Sequence, residues 1–186
     1  MCIRDRCNHI SGHVFYQLEQ LKPLFSKIIF ISNSPLSDED KCRLREDLGI
    51  SDLLERDNRG FDFAAWRDGM NWLGFDTLQN SDSLTLMNDT CFGPLWDLAP
   101  LYQRFEEDSQ VDFWGMTNFR KTRYFEEHLQ SYFVTFKQSV LKDKSFREFW
   151  SQVEDFTDVQ DVIDHYETQF TKRFVEAGFK YQALLD

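Results

Sequence analysis

Apolar and polar positions along the chain alternate between the period of a strand and the period of a helix. Strands are predicted at residues 27–32, 50–56, 83–88, 111–116 and 131–136. Helices are predicted at residues 11–22, 37–48, 61–73, 93–105, 137–153 and 159–177, and the one at 93–105 is expected to be interrupted or to restart near Pro100. The run at 27–32 is apolar throughout, which is typical of a parallel strand buried on both faces, whereas 131–136 alternates as in an antiparallel pair. The order predicts an α/β fold, a Rossmann-like, mostly parallel sheet flanked by helices, with an antiparallel element late in the chain.

Composition narrows the class of protein. The 186 residues suffice for one domain with a substantial core, to which the 19 phenylalanines spread along the chain contribute. The net charge of −11 argues against a nucleic-acid partner, because phosphate backbones require a basic face. Four cysteines without a CxxC pair or zinc spacing indicate a reducing compartment. No apolar run is long enough for a transmembrane segment, so we predict a cytoplasmic protein and leave open a place at the inner face of the membrane.

A polar turn centred on a glycine precedes the third predicted helix. Asn58, Arg59, Gly60 and Asp62 lie in or beside this turn, directly before the segment 63–73. Glycine tolerates a positive φ or the close approach of a ligand. The N–H groups that begin the helix suit a phosphate, and Asp62 suits a ribose or sugar hydroxyl. An ordinary turn with an acidic residue at a helix start explains the same pattern, and this segment alone favours that simpler interpretation.

An amide and a carboxylate end the strand predicted at 83–88. Asn88 and Asp89 stand where an open α/β sheet binds its ligands, at the carboxyl end of a strand. A carboxylate in this position can hold a metal ion between nucleotide phosphates, as a DxD motif does, and Asp89 is the candidate ligand for Mg²⁺ or Mn²⁺. Only one acid is present where a DxD motif has two, and a turn in which both side chains bond their own backbone fits equally well.

Three other side chains carry weaker indications. Trp114 offers an aromatic face for a sugar ring, although a tryptophan at a strand end is more often part of the core. His128 has no serine or cysteine partner nearby in the sequence, so a nucleophilic triad is not supported. Glu167 suits a general base, although a solvated helix face is the usual position for such a residue.

The chain resembles the rhamnan synthesis protein F family of bacterial glycosyltransferases. Six blocks carry the resemblance, in the same order, and together span about residues 30–178. They are FISNS at 30–34, NRGFDFAAW at 58–66, MNDTCFGPL at 87–95, DFWGMT at 112–117, HLQSYF at 128–133 and YE at 166–167. Each block is short, and their number and order make the resemblance specific.

The resemblance implies a GT-A-like fold and transfer of a sugar, typically rhamnose from dTDP-rhamnose, to a growing glycan or lipid-linked acceptor. The turn from Asn58 to Asp62 would line the donor nucleotide, and Asn88 and Asp89 would take the place of the DxD motif. The blocks containing Trp114 and His128 would face the acceptor. As catalytic base the first candidate is Glu167 and the reserve is Asp112.

The N-terminus departs from the family pattern. Residues 1–6 look like the translation of a sequencing adapter. Residues 7–186 are then expected to form a single glycosyltransferase-like domain that is a fragment of the natural one. The family's first strand is expected just before Cys7, and its loss would leave neighbouring strands unpaired. With the single acid at Asp89, this departure keeps a second interpretation open, a non-catalytic module that binds a nucleotide sugar or an assembly protein. A dinucleotide-binding domain is not supported, since no GxGxxG is present.

Overall fold

The computed structural model describes residues 9–185. The predicted adapter remnant at 1–6 and the start of the predicted domain at Cys7 lie outside the described residues. The helices are α1 Gly12–Leu21, α2 Asp38–Cys42, α3 Phe61–Leu73, α4 Phe75–Gln79, α5 Ala99–Glu107, α6 Gln138–Leu141, α7 Lys144–Ser151, α8 Val159–Val162 and α9 Thr168–Glu176. The strands are β1 Ile29–Ser32, β2 Asp52–Glu55, β3 Ser83–Met87, β4 Phe113–Phe119, β5 His128–Leu129, β6 Phe133–Lys137 and β7 Tyr181–Leu185.

Two predicted helices differ from the structure for local reasons. The segment predicted at 137–153 is two helices, because Asp143 caps α7 by accepting a hydrogen bond from Ser145 N at 2.8 Å. The segment predicted at 93–105 becomes helical only at Ala99, which agrees with the restart expected near Pro100, and the Ala99 N–H donates to Asp97 Oδ1 at 2.9 Å. Strands β5 and β7 are absent from the sequence prediction. β5 is only two residues long, and β7 lies beyond the last predicted element.

The strands form a parallel pair and a mixed sheet. β1 pairs with β2 in parallel, with Ile29 opposite Asp52. In the second sheet the order is β3-β6-β4, and both β5 and β7 pair with β4. Only the β4–β7 pair is parallel there, so the expectation of a mostly parallel sheet is corrected to a mixed one. The prediction that residues 131–136 form an antiparallel strand is confirmed by β6, which lies between β3 and β4.

Strand direction defines two edges of the mixed sheet. β3 and β4 are both antiparallel to β6, so they run in the same direction. We call the edge at which β3 and β4 end the carboxyl edge, and the edge at which they begin the amino edge. Met87 and Phe119 therefore lie at the carboxyl edge, and Ser83 and Phe113 lie at the amino edge.

Aromatic side chains fill the core on both faces of the mixed sheet. Phe113 and Phe136 face a cluster built with α3 and α6–α9, in which Phe146, Phe174 and Trp150 are almost fully buried. The alternate residue Trp114 faces a smaller cluster with α5. A third, mainly aliphatic cluster joins α1 and β1 to the segments that precede and follow α2. No helix among residues 9–185 has the length and apolar character needed to cross a bilayer.

An apolar cleft separates the two sheets. β1 is paired only with β2, and β3 only with β6, so within residues 9–185 each has one strand edge without a neighbouring strand. A cavity of about 620 Å³ lies between these edges and is lined by residues of both strands.

Candidate functional site

The turn before α3 and the end of β3 meet at the carboxyl edge. Asn88 is the first residue after β3, and its Nδ2 donates a hydrogen bond to Asp62 Oδ2 at 2.8 Å. Asp62 lies in the first turn of α3. The two motifs singled out in the sequence, 26 positions apart, therefore share one location.

The Asn88 side chain is held in one orientation. It is buried, and its Oδ1 accepts hydrogen bonds from Thr90 N at 3.2 Å and Thr90 Oγ1 at 2.6 Å. Its backbone N–H donates to Tyr132 O at 3.1 Å, which continues the β3–β6 pairing by one residue. The local turn considered in the sequence is therefore present, and the same side chain also reaches Asp62.

Asp89 follows in a half-buried position close to a second acid. Burial raises the pKa of Asp89, and the negative charge of Asp62 adds to the rise. A carboxyl group whose charge is disfavoured in this way, as that of Asp89 is, favours the binding of a proton or a cation. The tendency of Asp89 to bind a proton or a cation is the main chemical property of the site.

His13 completes this side of the site and was not identified from the sequence. Its Nε2 lies 3.2 Å from Asp89 O, where a protonated nitrogen donates to the carbonyl, and its Nδ1 lies 3.0 Å from Ser11 Oγ. The imidazole also packs on Phe92, with ring centroids 4.3 Å apart. A lone histidine near the start of a helix carries no local sequence signal for a contact 76 positions away.

Gly60 shapes the turn. Its φ of +67° lies in the left-handed region, and its N–H donates to Phe156 O at 2.7 Å. A Cβ at this position would lie 2.9 Å from Glu154 O and would overlap Ala64 Cβ. Close packing against the loop at 154–156 therefore requires this glycine, which favours the structural interpretation of the residue. Asn58 and Arg59 are exposed beside it.

Arg56 fixes the same turn from the end of β2, and it was also not identified from the sequence. Its guanidinium donates to Asn33 Oδ1 at 2.6 Å, to Arg59 O at 2.7 Å and to Asp68 Oδ2 at 2.7 Å. The side chain is only 10% exposed, so these bonds lie in a partly desolvated setting where they hold geometry well. Arg56 thus links the end of β1, through Asn33, to the start of α3.

Glu167 is attached to the same edge by a hydrogen bond to the main chain. Its Oε1 accepts a hydrogen bond from Ser131 N at 3.2 Å. Ser131 is adjacent to Tyr132, whose carbonyl accepts from Asn88 N. The first candidate base and Asn88 are therefore both attached to the segment that leads into β6.

Asp112 lies at the amino edge. It immediately precedes β4, and its two carboxylate oxygens accept from Ser139 Oγ at 2.8 Å and from Lys180 N at 2.9 Å. Because β3 and β4 run in the same direction, Asp112 and Asn88 are at opposite ends of the sheet. The structure does not bring the reserve base to the site, and Asp112 instead joins the start of β4 to the segment leading into β7.

Trp114 and His128 do not have the exposure that an acceptor-binding role requires. Trp114 is fully buried, and its indole stacks on Phe105 at 4.5 Å between ring centroids. His128 is buried as well, with Nδ1 bonded to Glu126 O at 2.8 Å and its ring stacked on Phe119. The expectation that these two side chains face the acceptor is corrected: they belong to the core.

The acids of the site suit a cation that is bound jointly by the protein and a substrate phosphate better than a cation bound by protein side chains alone. Within the described part of the chain, no three histidine, cysteine, aspartate or glutamate side chains are grouped to hold a metal ion. Mg²⁺ keeps several waters and is commonly bound by one or two carboxylates together with substrate phosphates. Asp62 and Asp89 fit that second arrangement.

Comparison with known proteins gives relatives but no solved structure. The chain is 32% identical over 172 residues to the uncharacterized protein y4gN of Sinorhizobium fredii, covering 92% of this chain and 44% of that protein. It is 29% identical over 185 residues to the virulence protein VirA of Vibrio anguillarum, covering 98% of this chain and 56% of that one. The chain thus spans about half the length of these relatives. No solved structure matches it.

A family profile gives a clearer assignment. The profile described as rhamnan synthesis protein F matches residues 28–186, which include β1 and every site residue discussed above except His13 and Ser11. The match covers most of the chain. The chain therefore belongs to the rhamnan synthesis protein F family.

Proposed function

We propose that the protein is a glycosyltransferase that moves a sugar from a nucleotide-sugar donor to a growing bacterial polysaccharide. Its family is named for rhamnan synthesis, so the proposed sugar is rhamnose and the proposed donor is dTDP-rhamnose. The observation that carries the proposal is the meeting of Asp62, Asn88 and Asp89 at the carboxyl edge. Open α/β sheets bind nucleotides at such an edge.

The donor diphosphate would lie at the start of α3. This helix has 13 residues, and the N–H groups of its first turn have no partners within the helix, which favours an anion there. Asn58 and Arg59 are exposed beside it, and the Arg59 guanidinium supplies a positive charge that suits a phosphate oxygen. Asp62 would accept a hydrogen bond from a sugar hydroxyl while its Oδ2 accepts from Asn88 Nδ2.

A divalent cation, Mg²⁺ or Mn²⁺, would be held by Asp89 with Asp62 and would supply neutralisation of the departing diphosphate. The raised pKa of Asp89 supports this assignment, because a nearby cation would relieve the electrostatic cost of ionising that carboxyl group.

Direct displacement at the anomeric carbon is the proposed mechanism. The Glu167 carboxylate takes the proton of the acceptor hydroxyl, and the resulting oxygen forms a bond to the anomeric carbon. The bond between that carbon and the phosphate oxygen breaks, and dTDP leaves with the electron pair. Glu167 accepts a hydrogen bond from Ser131 N, which orients the carboxylate and leaves a second oxygen for the acceptor.

The acceptor glycan, free or lipid-linked, would bind beside the loop that follows Asp89. Trp114 and His128 are buried, whereas Phe92 and Trp96 are 77% and 61% exposed. Aromatic rings commonly stack on the apolar faces of sugar rings, and both residues follow Asp89 within seven positions. The exposed loop therefore replaces the buried tryptophan as the proposed acceptor face.

The test is sugar transfer by the wild type and by Asp89→Asn, using radiolabelled dTDP-rhamnose and a rhamnan acceptor. We expect Asp89→Asn to lower transfer by about a hundredfold or more, because it removes the carboxylate charge that would hold the cation on the donor diphosphate. Asp76→Asn is the matched control, since Asp76 is exposed in α4 and lies toward the amino edge. Undiminished transfer by Asp89→Asn would overturn the assignment of that carboxylate.

The same assay separates the enzyme from the non-catalytic module. A wild type that binds dTDP-rhamnose without transferring or hydrolysing the sugar supports the module. The single acid of Asn88-Asp89-Thr90 is the feature that favours this alternative.

A further inference from the structure

The most exposed apolar side chains among residues 9–185 gather at one edge of the mixed sheet. The four large hydrophobic side chains with the greatest exposure are Phe92, Leu95, Trp96 and Tyr124, and Tyr124 is 80% exposed. The first three lie in the loop that follows β3, and Tyr124 lies in the loop between β4 and β5. Both loops leave the carboxyl edge, from strands that are separated only by β6. Apolar groups concentrated at one edge in this way indicate a surface that contacts something other than water.

Basic side chains surround Tyr124. The loop between β4 and β5 contains Arg120, Lys121 and Arg123, and we call residues 120–125 the basic loop. No acid lies within it, although the whole chain carries a net charge of −11. Exposed charges interact over about 8 Å at physiological ionic strength, so acids elsewhere in the chain do little to cancel these three cations.

Two acids directly follow the basic loop, and they leave it with an excess of positive charge. Lys121 Nζ lies 2.8 Å from Glu126 Oε2, but both side chains are more than half exposed, where an ion pair is weak and exchanges readily with other anions. Glu127 Oε1 accepts hydrogen bonds from Asn118 Nδ2 at 2.7 Å and from Tyr181 OH at 3.1 Å, so it is engaged with β4 and β7.

The tip of the basic loop is held by its own hydrogen bonds. Thr122 Oγ1 accepts from Tyr124 N at 3.3 Å and from Phe125 N at 3.1 Å, and Thr122 N donates to Phe125 O at 2.9 Å. These bonds fix the backbone that carries Tyr124, and the Arg123 guanidinium lies 5.8 Å from the centroid of the Tyr124 ring. An ordered turn that exposes an aromatic ring beside a cation loses little conformational freedom when it binds a partner.

We propose that the basic loop docks on the surface of an anionic lipid bilayer, with Tyr124 among the lipid headgroups and Lys121 and Arg123 on the lipid phosphates. Tyrosine is enriched at the level of the headgroups, because its ring is apolar and its hydroxyl is polar. Anionic lipids attract Lys and Arg side chains that lie near the bilayer surface. A nucleic acid would satisfy the cations as well, but the exposed Leu95 at the same edge suits an apolar layer better.

Docking in this way would turn the carboxyl edge of the sheet toward the bilayer. Bilayer binding is independent of sugar transfer and does not require it. If the proposed function holds, a lipid-linked acceptor in the same bilayer would present its sugar to the loop of Phe92 and Trp96, which leaves the same edge.

The test is sedimentation of the protein with vesicles of equal parts phosphatidylglycerol and phosphatidylcholine, compared with vesicles of phosphatidylcholine alone. We expect the wild type to bind the anionic vesicles more strongly, and added salt to weaken that binding by screening the attraction. Lys121→Glu combined with Arg123→Glu should lower the partition coefficient by about tenfold or more. The matched control is Lys142→Glu combined with Lys144→Glu, which changes the charge equally at exposed positions after β6, the strand that ends at the amino edge.

The apolar contribution is tested at Tyr124. Tyr124→Ala should lower the partition coefficient by about threefold or more, whereas Tyr124→Trp should retain binding, because both rings favour the headgroup level. Quenching of the added tryptophan by brominated lipids should then place this ring in the bilayer. Trp72→Ala is the matched control, since Trp72 is exposed near the far end of α3 from the carboxyl edge.

Absence of wild-type binding to the anionic vesicles would overturn the proposal, and so would an equal loss of binding in the control at Lys142 and Lys144. Binding of an RNA oligonucleotide in place of vesicles, if it is lost on the substitutions at Lys121 and Arg123, would assign the basic loop to a nucleic acid and would also overturn it. None of these measurements uses a sugar donor, so failure here leaves the proposed function intact.

Discussion

Asp89 and Asp112 are two aspartates at opposite edges of one sheet, and their environments differ. Asp112 uses both carboxylate oxygens, accepting from Ser139 Oγ and Lys180 N. Asp89 is half-buried near Asp62, and its pKa is raised by burial and by that second acid. The Asp112 carboxylate is stabilised by donors, whereas the Asp89 carboxylate is left in a place that penalises its charge.

This is the difference that we expect between a structural carboxylate and one proposed to bind a cation. A carboxylate that accepts hydrogen bonds from the fold contributes stability when it is ionised, whereas one held near another acid costs stability unless a ligand compensates. Asp89 comes shortly after a strand and Asp112 directly before one, so position relative to a strand does not by itself distinguish a structural aspartate from one proposed to bind a cation. The two are distinguished by the direction of the strands and by the hydrogen-bond donors around each carboxylate.

The largest expected effect concerns the proposed catalytic base. Glu167→Gln should lower sugar transfer by about a hundredfold, because the amide cannot take the acceptor proton although its oxygen can still accept from Ser131 N. Asp112→Asn should leave transfer within about threefold of wild type, since Asp112 lies at the other edge. Rates across pH are measured for both variants. A large loss in Asp112→Asn with an unchanged Glu167→Gln would reverse the assignment.

A smaller effect is expected on stability. Asp112→Ala removes two accepted hydrogen bonds and should lower the free energy of unfolding by about 1–2 kcal/mol. Asp89→Asn should raise the melting temperature slightly at about pH 7, because it removes an unfavourable charge. Thermal unfolding at several pH values measures both changes.

The pH dependence of Asp89→Asn has a definite sign. The pKa of Asp89 is raised in the folded protein, so the wild type loses stability as pH rises from the ordinary aspartate range through that raised pKa. The variant lacks this loss. Its advantage over wild type should therefore be larger at about pH 7 than at about pH 4. An advantage that shrinks with rising pH would show that the surroundings stabilise the ionised form of Asp89.

Local patterns in the sequence predicted the elements and part of the site. The apolar run before Ser32 and the alternation at 131–136 correspond to β1 and β6. The rule that ligands bind at the ends of strands placed Asp62 and Asn88 together, and their hydrogen bond agrees with that prediction. These features depend on residues close together in sequence or on a general property of sheets.

Features that depend on distant pairing were not predictable in the same way. The insertion of β6 between β3 and β4 makes the sheet mixed, and no local pattern specifies which strands become neighbours. The burial of Trp114 depends on α5 packing over it, and the contact of His13 with Asp89 depends on where α1 lies. The role of Arg56 could not be predicted without knowing that Asn33, Arg59 and Asp68 surround its guanidinium.

The central claim is that the turn before α3 and the end of β3 form one donor site. A double-mutant cycle tests it most directly, with calorimetric binding of dTDP-rhamnose to wild type, Asp62→Ala, Asn88→Ala and the double variant. If the two residues act on one ligand through their mutual hydrogen bond, the losses in binding free energy should be non-additive by about 1 kcal/mol. Losses that add within about 0.3 kcal/mol, or binding that neither substitution weakens, would contradict the claim.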